Sequence, residues 1–329
     1  MHAINIIVFS DLHIADRAPS GRVDAYLETI LGKLEAIGKI ANDAEATAVL
    51  SLGDIFHIKQ GNRVSDYLRQ RLIMTLKDFS CPVYVVPGNH DYGPGGLDSL
   101  EKQPLGTLEK AGAITIAREL FRIGNAWIVP RPYNAEAEGV HTGECDPAHY
   151  SITAEEAKTI SADDGPVIGV AHASVVGPGD SRQYPTFGVD KIPGLKDYDV
   201  FLSGHLHECL GTMKVGTTIF ANPGSVARTR RDIASYARTV QVLKVSINDG
   251  TVEVSIVPIP GVLPATEVFG RREPDDAEPE MNSDSISNFV ELLGKGIRAD
   301  EVSLPELLSN LSLEPAVKAE VQKHLEAAS

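Results

Sequence analysis

Apolar positions in the first ninety residues switch between two periods. Ile4 to Ser10 is a continuous apolar run, as in a strand buried on both faces. Residues 23–40 then place Leu27, Leu31, Leu34 and Ile37 on one stripe, the spacing of an amphipathic helix. Ala48 to Leu52 is apolar again and stops at Gly53-Asp54. Ser65 stands where an N-cap would, opening a helix through about Asp78, and Pro82 to Val86 reads as a third strand. A βαβαβ order of this kind predicts right-handed crossovers and a parallel core sheet.

The later pattern is richer in strands. Ala126 to Val129, Val167 to Ala171, Val200 to Ser203 and Thr217 to Ala221 are short candidates. Thr153-Ala154-Glu155-Glu156 has capping-box spacing. Thr239 to Ile247 and Thr251 to Pro258 alternate around Asn248-Asp249-Gly250, which predicts a hairpin. The expected fold is α/β: two packed sheets with helices outside, a four-layer αββα sandwich over residues 1–260. Pro260, Pro264, Pro274 and Pro279 around the acidic stretch 273–280 mark 261–282 as a linker. Three short helical patterns, about 284–295, 304–311 and 314–327, make 283–329 a helical C-terminal tail.

Composition narrows the class. The net charge is −15, from 30 basic and 45 acidic residues, which argues against a protein that coats nucleic acid through Lys and Arg. It does not exclude a nuclease whose metal ions neutralise phosphate locally. The three cysteines, Cys81, Cys145 and Cys209, form no CxxC pair and fit a reducing compartment. No signal-peptide pattern and no membrane-length apolar run occur, so a cytoplasmic location is expected.

The polar residues that follow the apolar runs carry the chemistry. They are Asp11-Leu12-His13, Gly53-Asp54, Gly88-Asn89-His90-Asp91, His172 and Gly204-His205-Leu206-His207. An α/β sheet presents such groups to a ligand at its carboxyl strand ends. Carboxylate, amide and imidazole together suit divalent ions. In an extended segment Asp11 and His13 point the same way and can reach one ion; His205 and His207 repeat that spacing. Asp54 is placed to bridge two ions.

This ordered set resembles the calcineurin-like metallophosphoesterase superfamily over about residues 4–225. The resemblance implies one ion held by Asp11, His13, Asp54 and His207, and a second by Asp54, Asn89, His172 and His205. It implies hydrolysis of a phosphate ester by a water activated between two divalent ions, with Mn²⁺ the first choice and Fe²⁺, Zn²⁺ or Mg²⁺ the alternatives. His90 is expected to serve the leaving group rather than a metal, with Asp91 accepting its other ring proton.

Within the superfamily the chain is most similar to the Mre11/SbcD nucleases. Gly53-Asp54-Ile55-Phe56-His57 looks like their GD[IL]FH signature, and Val85-Val86-Pro87-Gly88-Asn89-His90-Asp91 also fits. The resemblance implies a DNA exo/endonuclease subunit in which His57 helps place the strand. It further implies that the C-terminal tail grips a Rad50/SbcC-type ATPase and that the helix at about 65–78 supports a homodimer. Two features depart from the pattern. Little more than a hairpin and a linker separates Ser225 from the tail, so the DNA-contacting cap is reduced or missing, and Ile14-Ala15-Asp16 lacks the glycine that often follows the first motif. Arg228, Arg230 and Arg231 are candidate phosphate contacts or, equally, a solvated basic turn. The alternative function is a small-molecule phosphodiesterase, for example of cyclic nucleotides. A non-catalytic interaction module is the third reading.

Overall fold

The structure, a computed structural model, describes residues 3–57, 64–93, 96–161 and 165–270. These all belong to one compact unit, Met1–Asp275. The expected tail helices, and the linker beyond Gly270, lie outside the described residues.

The first part of the chain runs β1 (Ile4–Phe9), α1 (Tyr26–Asp43), β2 (Ala48–Ser51), α2 (Asp66–Lys77), β3 (Val83–Val85), α3 (Pro104–Lys110) and β4 (Thr115–Ile116). It continues with β5 (Phe121–Ile123), β6 (Ala126–Arg131), α4 (Ala154–Ile160), β7 (Val167–Ala173), β8 (Val175–Val176), β9 (Phe187–Gly188), β10 (Val200–His205), β11 (Gly211–Val215) and β12 (Thr218–Asn222). The last described elements are α5 (Ile233–Ala237), β13 (Gln241–Asn248), β14 (Thr251–Pro258) and α6 (Ala265–Val268).

Two six-stranded sheets result, in the orders β14-β13-β1-β2-β3-β4 and β11-β12-β10-β7-β6-β5. The central strands are parallel and the added ones antiparallel: β13 and β14 on the first sheet, β5 and β11 on the second. The period-two rule sorts β1 cleanly. Ile6 and Val8 face the second sheet, with Leu50, Ile128, Val170, Leu202 and Val245. Ile7 and Phe9 face α1 and α2, with Ile30, Leu34, Leu68 and Leu72. The outer face of the second sheet is covered by Tyr150, Phe187, Tyr198 and Phe201 from loops, strand ends and the strand face.

Local signals act as expected. The Ser65 hydroxyl accepts from the Leu68 N–H at the start of α2, and Thr153 and Glu156 form a capping box on α4. Asp249 and Gly250 both have positive φ (48° and 80°), the conformation of a two-residue type I′ hairpin turn. The three cysteines are all free. Among the described residues no helix is long and apolar enough to cross a membrane.

Residues 261–270 differ from the expected linker. Pro264 precedes α6, and Ala265, Val268 and Phe269 are buried against Tyr236 and Leu263. The Val23 N–H donates to the Val268 carbonyl at 2.9 Å, so this stretch is part of the catalytic body.

Candidate metal centre

The ends of β1, β2 and β3 on one sheet meet the ends of β7 and β10 on the other. Asp11, His13, Asp54, Asn89 and His172 are all buried there. Asp11 and His13 do not sit on an extended segment. Their φ values are 54° and 46°, and Asp54 (53°) and His205 (79°) share the left-handed region. Each such residue costs roughly 1 kcal/mol, and strain of this kind collects where side chains must be aimed. Cross-strand bonds hold it in place: Asp11 N–H donates to Gly53 O at 3.1 Å and His13 N–H to Asp54 O at 2.9 Å. The Tyr26 hydroxyl of α1 adds a 2.5 Å bond to the His13 carbonyl.

The glycines of the motifs let these loops touch. A Cβ on Gly88 would lie 2.2 Å from Asp54 Oδ1, and one on Gly53 2.4 Å from His172 Nδ1.

Two ligand sets form. In the first, His13 Nε2 and His207 Nε2 lie 2.9 Å apart, and Asp11 Oδ1 is 3.7 and 3.6 Å from them. In the second, His172 Nε2 is 3.1 Å from both Asn89 Oδ1 and His205 Nδ1. Asp54 Oδ2 joins the sets, 3.6 Å from His13 Nε2 and 3.4 Å from His172 Nε2. The fit to cations rests on one atom in particular: Asp11 Oδ1 is fully buried and has no hydrogen-bond donor. A buried carboxylate oxygen that lacks a hydrogen-bond donor and faces imidazole nitrogens is a fitting ligand for a cation. His172 Nδ1 donates to the Leu52 carbonyl at 2.6 Å, which leaves Nε2 as the ligating nitrogen.

The electrostatics agree. Burial opposes ionisation of Asp54, yet His172 and His90 hold its carboxyl well below the usual range. Asp11 behaves likewise: burial is outweighed by His13, His172 and His207, and its carboxyl is held low. Burial also opposes charge on His172, but Asp54 and Asp11 push it up to about 10. His207 moves the other way, well below its ordinary value, because burial and the neighbouring His13 both disfavour the cation. Metal binding at such a set displaces the imidazole protons.

His90 and His57 stand beside the first set. Their rings stack at 5.8 Å with planes 7° apart, and His13 lies 4.9 Å from His90 and 5.3 Å from His57. Asp91, the expected partner of the His90 ring, is not the group that holds it. His90 Nδ1 donates to the His57 carbonyl at 2.8 Å. Asp91 instead gathers backbone N–H groups: Asp54 and Gly88 bond to Oδ2 at 2.8 and 2.9 Å, Ile55 and Phe56 to Oδ1 at 2.9 and 3.3 Å. It sets the Asp54 turn rather than the His90 ring.

Arg228 is not a substrate contact either. Its guanidinium is buried and donates to the carbonyls of Ser235, Leu263 and Arg238. It was readable as a phosphate ligand only because its neighbours are also basic. Arg230 is partly exposed and its charge acts on His207. The adjacent Thr229 hydroxyl lies 3.3 Å from His207 Nδ1.

Sequence reasoning picked out Arg228 but not what the backbone of the segment before it does. The N–H groups of Ser225, Val226 and Ala227 donate to the carbonyls of His207, Ser10 and Asp11. The Ser225 hydroxyl adds a 2.9 Å bond to the Asp11 carbonyl. On the other side, basic side chains take the carbonyls: half-buried Arg238 those of Ser225 and Ala227, buried Lys33 that of Val226, and buried Arg22 that of Arg228. Asn222-Pro223-Gly224 was the signal available, since Asn222 Oδ1 accepts the Gly224 N–H at 2.6 Å and turns the chain into this segment.

The calcineurin-like phosphoesterase family model matches residues 4–209, from the first strand past both histidines of the last motif. The chain belongs to this family. Calcineurin-like phosphoesterases are metal-dependent hydrolases with a dinuclear divalent centre, and the two ligand sets fit that centre. No curated protein matches. Similar solved structures include a Thermus thermophilus protein (13% identity, 78% of this chain and 99% of that one, TM-score 0.44). A putative 5'-nucleotidase from Staphylococcus aureus, in complex with alpha-ketoglutarate, shares 14% identity over 89% of this chain and 58% of its own, with TM-score 0.45. A dimetal phosphatase from Danio rerio shares 13% over 78% and 99%, with TM-score 0.46.

Proposed function

We propose that this phosphoesterase cleaves phosphodiester bonds in DNA, as an Mre11/SbcD-like exo/endonuclease subunit. The observation that carries this reading is the placement of His57. The residue that completes the GDIFH signature lies 3.4 Å, nitrogen to nitrogen, from His13 and stacks on His90. A side chain there adjoins whatever occupies the leaving-group side of the scissile phosphate.

When bound, the two ions, taken as Mn²⁺, would neutralise phosphate charge and lower the pKa of a water. Asp11, His13, Asp54 and His207 would hold one, and Asp54, Asn89, His172 and His205 the other. His90 keeps Nδ1 on a carbonyl, so Nε2 is the nitrogen that passes a proton to the leaving oxygen. Arg230 adds positive charge beside His207 for a non-bridging phosphate oxygen. The same reading gives residues 283–329 to a Rad50/SbcC-type ATPase. Deleting them abolishes co-purification with that partner and leaves hydrolysis of a generic diester intact.

A second reading, a small-molecule phosphodiesterase, is favoured by the net charge of −15 and by the short run from β12 to Gly270, which holds only α5, the β13–β14 hairpin and α6. Assaying linear duplex DNA, single-stranded DNA and cyclic nucleotides with Mn²⁺ separates the two. DNA cleavage supports the nuclease; cyclic-nucleotide turnover without DNA cleavage overturns it.

A further inference from the structure

We infer that Ser10 is a positioning residue for the first ion: its hydroxyl occupies one oxygen of Asp11 and so makes that carboxylate a one-oxygen ligand. This rests on the dinuclear reading of the centre and adds a residue outside its ligand set.

The two oxygens of Asp11 have different surroundings. Oδ2 accepts from the Ser10 hydroxyl and from the His205 N–H at 3.2 Å. Oδ1 has no donor and faces His13 Nε2 and His207 Nε2. A carboxylate can bind an ion through one oxygen or both. With Oδ2 engaged by two protein donors, only Oδ1 is left to the ion. Ser10 itself is fully buried, and its carbonyl is fixed by the Val226 N–H at 2.9 Å, so its hydroxyl has a set place. The opposite strand makes room for it. A Cβ on Gly204 would come 2.3 Å from Ser10 Oγ and 2.7 Å from the Leu52 carbonyl oxygen, so the glycine that precedes ligand His205 admits the hydroxyl to this spot. The two donors to Oδ2 come from different sheets: Ser10 directly follows β1, while His205 ends β10.

Ser10→Ala removes the hydroxyl and nothing else. Groups that orient a metal ligand typically contribute 10–100-fold to affinity. The test titrates metal-free full-length protein with Mn²⁺ by calorimetry and with Co²⁺ by absorption, which reports the ligand field directly. The wild type is expected to bind two ions. In Ser10→Ala one of the two sites weakens by about 10–100-fold and its Co²⁺ spectrum changes, while the other site is unaltered. In an Asp11→Asn background the Ser10→Ala change has no further effect on affinity, because the two residues act through one oxygen. Equal lowering of the melting temperature with and without metal, at unchanged affinity and spectrum, would mean that Ser10 only packs, and overturns the proposal. A wild type that binds fewer than two ions overturns the dinuclear reading and this inference with it.

Discussion

The carbonyl of His57 accepts a 2.8 Å hydrogen bond from Nδ1 of His90. One residue thus acts twice, through its ring beside His13 and through its backbone under His90. The backbone role survives any substitution at 57, which allows the two contributions to be separated.

His90→Ala is expected to lower kcat by roughly 10²–10⁴-fold, the usual range for a general acid. The metal content of the purified variant should match wild type, since His90 belongs to neither ligand set. Near-normal turnover in a steady-state assay with a generic diester would remove His90 from the chemistry.

His57→Ala retains the carbonyl that holds His90 and removes only the ring. On the nuclease reading, turnover of duplex DNA ends falls by at least ~10-fold, whereas a small generic diester is affected by no more than a few-fold; this is the pattern of lost remote binding used for positioning. Parallel kcat/KM measurements on both substrates check it. Equal losses on both would make His57 a support for His13 alone.

Asp91→Asn replaces one of two oxygens that each accept two N–H groups by an NH₂ that can accept none. Two buried donors are then orphaned, at about 1–3 kcal/mol each. Urea unfolding of the metal-free protein should show a loss of roughly 3 kcal/mol. Metal affinity should fall as well, because the Asp54 turn loses the anchor that sets its positive φ.

Lys33 gives a pH dependence. Burial, reinforced by Arg22, Arg228 and Arg238, holds its ammonium well below the ordinary 10.5. The folded state therefore binds fewer protons at this group than the unfolded chain. Stability from Lys33 is complete above 10.5 and is lost as pH falls through the lower folded value. The difference in unfolding free energy between wild type and Lys33→Met should rise with pH across that window, as followed by urea titrations from neutral pH upward. A difference independent of pH would mean that Lys33 titrates normally.

That these candidate ligands would come together could be read from the sequence, because they cluster at the ends of short apolar runs, and strand ends are where a doubly layered α/β fold collects polar groups. Their backbone geometry could not. Asp11, His13, Asp54 and His205 take left-handed conformations that are uncommon outside glycine, and long-range hydrogen bonds to Gly53, Asp54, Asp91 and Asp11 hold them there. Edge strands β5 and β11 were invisible for another reason. Each is short and partly exposed, so neither shows a run of apolar residues. Pro264 suggested a linker where it in fact opens α6. Arg228 and Asp91 were misplaced because charge identifies a residue that needs a partner but does not say whether the partner is substrate or backbone.

The clamp on Ser225–Arg228 has a consequence for how the site is completed during synthesis. All seven ligand residues, Asp11 to His207, leave the ribosome before the segment that pins the Ser10 and Asp11 carbonyls, and before Arg238, which grips that segment from behind. A nascent chain that ends near residue 209 therefore possesses every donor for two ions and lacks the brace that aims the first of them. The brace is thus the last-made part of the centre, and it is closed by an arginine that bonds backbone carbonyls.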